Sequence, residues 1–361
     1  MEHIHGGNLR EAAEKYGLKE SSLLDFSANI NPLGPSPKAV EAIKNNLNAI
    51  AHYPDTEAKL LRRTVSQWLG LPEEYIVAGN GAVEIIYLLV KVINPQRALI
   101  PAPTFNEYEI AVRINGSKVK DLLLNKEKDF EIDKEDIYRY WGNSDIVFIC
   151  NPNNPTGRLT GREQIEEITA KAAELGKYVV VDEAFMDFVF DGAKYSVVDL
   201  VPKYNNLFVL YSLTKFFAMP GLRLGLGLGH RKVIQKINRV RDPWNVNCFA
   251  QLAGIASLED REYIKATKEY MIKEKDYLFS KIKAVKGFRP YYPQANYIFI
   301  DVAETGYTSQ EICSVLGERG ILVRDCGYYT NLEPLYIRVA VRTREQNNKL
   351  IKVLQAIGRK H

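Results

Sequence analysis

The chain has 361 residues, with 48 Lys and Arg against 44 Asp and Glu, a formal net charge of +4. Apolar residues make up 46% and charged residues 25%, ordinary globular usage that excludes disordered and fibrous classes. At roughly 150 residues per domain, two domains are expected. So small a charge, spread along the chain, speaks against nucleic acid as the main ligand.

The four cysteines (Cys150, Cys248, Cys313, Cys326) are far apart and form no CxxC pair, so neither a disulfide framework nor a zinc site is expected. The start, Met1-Glu2-His3-Ile4-His5-Gly6-Gly7, has no basic n-region and no apolar h-region. The apolar run at 85–93 is broken by Lys91 and is too short to span a bilayer. These features point to a reduced, soluble, cytoplasmic protein with no membrane partner.

In chain order, the stretch to about residue 45 is rich in Asn, Pro and Gly. It fits no regular pattern and is expected to pack with the C-terminal unit. Strands are then expected at 75–78, 97–100, 145–150, 178–182 and 207–212, and helices at 82–92, 105–114 and 162–175. Unbroken apolar strands alternating with helices predict a large α/β domain, a doubly wound and mostly parallel sheet. After about residue 238 the pattern changes to long helical stretches, 249–282, then separated strands at 295–302 and 335–341. The expected division is a large domain, 46–238, and a smaller α+β domain formed by 1–45 and 239–361.

Ligands of open parallel sheets gather at the carboxyl ends of strands, and four predicted strand ends carry unusual polar residues. Gly79-Asn80-Gly81-Ala82 runs straight into a helix, where backbone N–H groups can meet a phosphate. Asn151-Pro152-Asn153-Asn154-Pro155-Thr156-Gly157 offers two adjacent amides above the sheet. Asp182-Glu183 puts two carboxylates where an apolar strand stops. In Ser212-Leu213-Thr214-Lys215, the lysine is followed by Phe216, Phe217 and Met219, whose desolvation would favour the neutral amine. Each alone reads as a turn, a cap or a solvated charge.

Their order and spacing, with Arg223 eight residues after Lys215, resemble the fold-type I pyridoxal-phosphate enzymes. The likeness is to the aspartate-aminotransferase-like group that includes histidinol-phosphate aminotransferases. The resemblance implies pyridoxal 5'-phosphate as cofactor, with Lys215 bonding its aldehyde and Asp182 pairing with the ring nitrogen. It also implies Asn154 on the ring's phenolic oxygen and Phe105 stacked on the ring. Gly81, Ala82, Ser212 and Arg223 would hold the cofactor phosphate. Tyr53 would reach the phosphate of a neighbouring subunit, which implies a homodimer with shared sites.

Those aminotransferases usually read Asp-x-Ala-Tyr where this chain has Asp182-Glu183-Ala184-Phe185. The start His5-Gly6-Gly7-Asn8, followed by Ser27-Ala28-Asn29-Ile30-Asn31-Pro32, is similar to the threonine-phosphate decarboxylases of cobalamin biosynthesis. That likeness implies a phosphorylated amino acid substrate contacted by His5, Gly6, Asn29 and Asn154. It assigns Arg338 to the α-carboxylate and Arg324 to the substrate phosphate, with Arg342 structural. The alternatives are a histidinol-phosphate-type aminotransferase and a non-catalytic cofactor-binding module, which would need an added DNA-binding domain before Leu23.

Overall fold

The structure, a computed structural model, describes residues 6–358. His5 lies outside them. The strands are β1 (Leu24–Asp25), β2 (Ile76–Asn80), β3 (Arg97–Ala102), β4 (Lys118–Leu123), β5 (Ile146–Cys150) and β6 (Tyr178–Asp182). They continue as β7 (Leu207–Ser212), β8 (Leu224–Gly229), β9 (Arg289–Pro290), β10 (Tyr297–Asp301), β11 (Ile321–Leu322), β12 (Arg324–Asp325) and β13 (Tyr336–Ala340).

Seven strands form one sheet in the order β2-β8-β7-β6-β5-β3-β4. Its pairs are parallel except those of β8, which runs antiparallel to both β2 and β7. Side chains alternate between two apolar layers: Val179 and Val181 of β6 enter one, Val180 the other. Both faces are therefore dry, which is why these strands read as continuous apolar runs.

Two strands of this sheet differ from the sequence reading. β8, Leu-Gly-Leu-Gly-Leu-Gly, falls where no strand was expected, because three glycines in six residues lower the strand signal. β4, Lys-Val-Lys-Asp-Leu-Leu, is an edge strand with little burial. The helical stretches predicted over 249–282 are two helices, Cys248–Leu258 and Arg261–Lys283. Asp260 caps the second by accepting from the Tyr263 N–H. The helix predicted from 105 begins at Glu107, so Phe105 sits in the loop after β3.

A second sheet, β12-β13-β10-β9, is antiparallel. β1 pairs in parallel with β11. The Ala340 N–H also donates to Phe26 O, so the N-terminal segment is bonded to the C-terminal strands.

Candidate active site

β5, β6 and β7 end at nearly the same level: Cys150 is opposite Asp182, and Asp182 opposite Leu210. The loops that follow all open at this edge, onto a cavity of about 710 Å³. Lys215, Asp182, Asn154, Ser212, Arg223, Phe105, Ala82, Gly6, Asn29, Arg324 and Arg338 all line it. Gly81 lies just behind the wall, where an added Cβ would meet Arg223 Nη2 at 2.4 Å. Tyr53 is outside the cavity of its own chain; it is 79% exposed and stacks on Trp244 at 4.5 Å.

At one end, the helix Ala82–Ile93 presents its N-terminus with Gly81 as cap and no side chain bonded there. Arg223, held at φ 59°, brings its guanidinium to the same point. Ser212 Oγ and Thr214 Oγ1 lie 2.8 Å apart beside it. Unbonded helix N–H groups next to a guanidinium form an anion site.

In the middle of the cavity, burial, with Arg338 and Arg223 nearby, lowers the Lys215 ammonium to about 8. Asp182 accepts from Tyr108 OH at 2.5 Å through Oδ2 and from Ala184 N at 2.9 Å through Oδ1. Burial pushes its carboxyl up; those two donors and the charge of Lys215 oppose the shift. The adjacent asparagines have different roles. Asn153 is tied to Pro103 O, Thr104 and Thr156, while Asn154 faces the cavity and accepts from Arg338 Nη1. Only one of the two amides is therefore available to a ligand.

At the far end, Arg324 and Arg338 are directly opposed across β12 and β13, and both are buried. Arg324 lies 5.5 Å from the ring centroid of Tyr329, and Arg338 lies 5.4 Å from that of Tyr297. Arg338 Nη2 donates to Ser27 O at 2.8 Å. Ser27 Oγ in turn accepts from the Gly7 N–H at 2.9 Å, which ties the N-terminal segment to the cavity wall. Arg342 is outside the cavity, with its Nε donating to Gln346. Phe185 contributes a ring without a hydroxyl, packed edge-on against Tyr297 at 5.1 Å.

Sequence reading missed Tyr108, Glu107, Tyr87 and Tyr329. Tyr108 lies in the first turn of the helix that follows Phe105, and no sequence signal singles it out. Glu183, the second carboxylate at this strand end, is buried and accepts from Ser196 Oγ (2.6 Å) and Val197 N (2.7 Å). It anchors a loop instead of facing the cavity.

Residues 21–354 match the family described as aminotransferase class I and II. The chain is 37% identical over 353 residues to a protein of Caldanaerobacter subterraneus subsp. tengcongensis provisionally named a threonine-phosphate decarboxylase, covering 98% of this chain and 93% of that one. It is 35% identical over 356 residues to histidinol-phosphate aminotransferase of Methanothermobacter thermautotrophicus, with 98% and 93% covered. The fold is similar to that of histidinol-phosphate aminotransferase from Sinorhizobium meliloti in complex with pyridoxal-5'-phosphate, at TM-score 0.89, 19% identity and coverage of 99% and 96%.

The cavity fits that cofactor on its own evidence. It has an anion site at one end, an amine lowered toward neutrality in the middle and a buried carboxylate behind. The chain belongs to the class I and II aminotransferases, the fold-type I pyridoxal-phosphate enzymes, and its cofactor is pyridoxal 5'-phosphate.

Proposed function

We propose that this protein decarboxylates L-threonine O-3-phosphate to (R)-1-amino-2-propanol O-2-phosphate, a precursor of the cobalamin nucleotide loop. The observation that carries the reading is the chain of bonds from Gly7 through Ser27 to Arg338. It couples the N-terminal segment to one of two opposed, buried arginines. Two guanidinium groups side by side call for a ligand with two acids, and planar donors suit a carboxylate and a phosphate. Among the described residues lining the cavity, Lys215, Arg223, Arg324 and Arg338 face only Asp182 and Glu107 as carboxylates, an excess of positive charge that favours a polyanion.

Lys215 is the attachment point of the cofactor, and Asp182 pairs with its ring nitrogen. Asn154, whose oxygen is engaged by Arg338, donates to the ring oxygen through its nitrogen. Phe105 stacks on the ring, while Gly81, Ala82, Ser212 and Arg223 hold its phosphate. Bound pyridoxal phosphate supplies a sink for the electron pair released when a bond at the substrate Cα breaks. Which bond breaks is decided by the residues that set substrate rotation. Arg338 would hold the carboxylate and Arg324 the substrate phosphate, and His5, Gly6 and Asn29 would contact the substrate. Lys215 is the group placed to return a proton to Cα.

The enzyme acts as a homodimer with shared sites, Tyr53 reaching the partner's cofactor phosphate. Its support is the exposed apolar surface formed by Tyr53 stacked on Trp244, with Leu47 and Ile50 exposed shortly before it. Histidinol-phosphate transamination is the second reading, favoured by the 35% identical relative.

Incubating the holoenzyme with threonine phosphate, and separately with histidinol phosphate, each with a 2-oxo acid as amino acceptor, separates the two readings. Release of CO2 without keto acid formed from threonine phosphate supports decarboxylation; that keto acid without CO2, or turnover of histidinol phosphate alone, overturns it. Deleting residues 1–7 should lower CO2 release by about 10²-fold, the scale of a lost positioning contact, with cofactor absorbance retained. Full activity in the truncated protein would remove the N-terminal segment from the mechanism.

A further inference from the structure

We propose that Tyr108 is a positioning residue for the cofactor: its phenol donates to Asp182 and keeps that buried carboxylate ionised and aimed at the ring nitrogen. The inference rests on the assignment of Asp182 to that nitrogen.

Tyr108 is fully buried in the first turn of the helix Glu107–Ile114. Its ring stacks on Phe148 at 5.1 Å and meets Phe105 edge-on at 5.5 Å, so the hydroxyl has little freedom to turn elsewhere. It donates to Asp182 Oδ2 at 2.5 Å, while the Ala184 N–H donates to Oδ1 at 2.9 Å. With one donor on each oxygen, the carboxylate plane is set from two sides, and each oxygen retains a lone pair for a third donor. Burial and the neighbouring carboxylate hold the Tyr108 phenol well above its usual range, so it stays a donor at any working pH.

The other titratable groups facing Asp182 are Lys215, the Cys150 thiol on β5, the Tyr297 phenol on β10 and Glu183, the next residue in the chain. Cys150, raised to about 12 by burial, and Tyr297, raised well above its usual range, bring no charge near neutrality. Lys215 supplies an opposing charge that lapses as its amine deprotonates or bonds the cofactor. Tyr108 and the Ala184 amide are then the donors that remain.

The test titrates apo-protein with pyridoxal phosphate and with its 1-deaza analogue, in which carbon replaces the ring nitrogen. Wild type should bind pyridoxal phosphate more tightly than the analogue. Tyr108→Phe, which keeps the ring stack, should weaken pyridoxal phosphate about tenfold and leave the analogue unchanged. It should also raise by about one unit the pH below which pyridoxal phosphate binding fails, because one unit of carboxylate pKa is tenfold. Tyr108→His retains a donor and should keep the wild-type preference; it carries the test alone if the phenylalanine variant does not fold. Equal weakening of both ligands would make Tyr108 a packing residue and overturn the proposal, as would no weakening or loss of the preference in Tyr108→His. A wild type that does not distinguish the two ligands would instead remove the Asp182 assignment, and the proposal with it.

Discussion

Replacing Gly225 with alanine should cost the protein its cofactor while most of the fold survives. Gly225 lies on β8, directly behind the N-terminus of the helix Ala82–Ile93. A Cβ built there would sit 2.2 Å from Ala82 N and 2.5 Å from Gly81 C, both backbone atoms with no rotamer to yield. Ordinary contact begins near 3.4 Å, so the helix end must retreat by about 1 Å. In stability the overpacking should cost about 1–3 kcal/mol. In binding, two amides that reach the phosphate are each worth about 1.5–3 kcal/mol as charge-assisted donors, so losing both weakens the cofactor at least ~10²-fold. The assay is fluorescence titration of apo-protein with pyridoxal phosphate, alongside a thermal melt. Gly229→Ala is the control: its Cβ would meet the Phe208 ring, at 2.4 and 2.8 Å, and its three nearest atoms include none of the helix Ala82–Ile93. It should lower Tm but keep cofactor affinity within about threefold, since it leaves the phosphate amides in place. Wild-type affinity in Gly225→Ala, or equal losses in the two variants, would refute the placement of the phosphate at this helix end.

Lys215 reacts as the neutral amine, and burial with two nearby guanidinium groups lowers it to about 8. The rate of cofactor incorporation into apo-protein should therefore rise with pH and level off above about 8; a plateau near 10 would mean the amine is unperturbed. Burial raises the Glu183 carboxyl to about 7, so the native state binds its proton more tightly than the unfolded chain does. Its stabilising contribution should thus be present below the unfolded value and fall by about 3 kcal/mol as pH rises to 7. Urea unfolding at pH 5 and pH 8 should show that slope flattened in Glu183→Gln, and an unchanged slope would count against it. Mixing Tyr53→Ala chains with Lys215→Ala chains should restore activity, because each heterodimer contains one intact site. No recovery would mean that the sites are not shared.

What could be read from sequence follows from what each residue has to do alone. β6 and β7 are apolar on both faces, and Asp182 and Lys215 interrupt that pattern where the strands stop, so both were visible without coordinates. β8 was not, because its glycines make room for neighbouring backbone and side chains, Gly225 for the helix at Ala82, a tertiary constraint that replaces ordinary strand formers with residues depleted in strands. Arg324 and Arg338 could be matched through family likeness, but their opposition depends on the register of β12 and β13. Asn153 and Asn154 are indistinguishable in sequence; only the loop's path sends one amide into the scaffold and the other into the cavity.

The pairing of β1 with β11 also bears on how the enzyme is made. Leu24 is synthesised well before its partner Ile321, which follows about 300 residues later. At a ribosomal rate of about 5–20 residues per second, the delay is roughly 15–60 s. During that interval the large sheet can form with its lysine and anion site, while both opposed arginines are still untranslated. The substrate end of the cavity is completed last, when β1 docks and Phe26 accepts from the Ala340 amide. A chain that stops before β12 could thus sequester cofactor but not act on a substrate, and function begins only once Arg324 and Arg338 have been added.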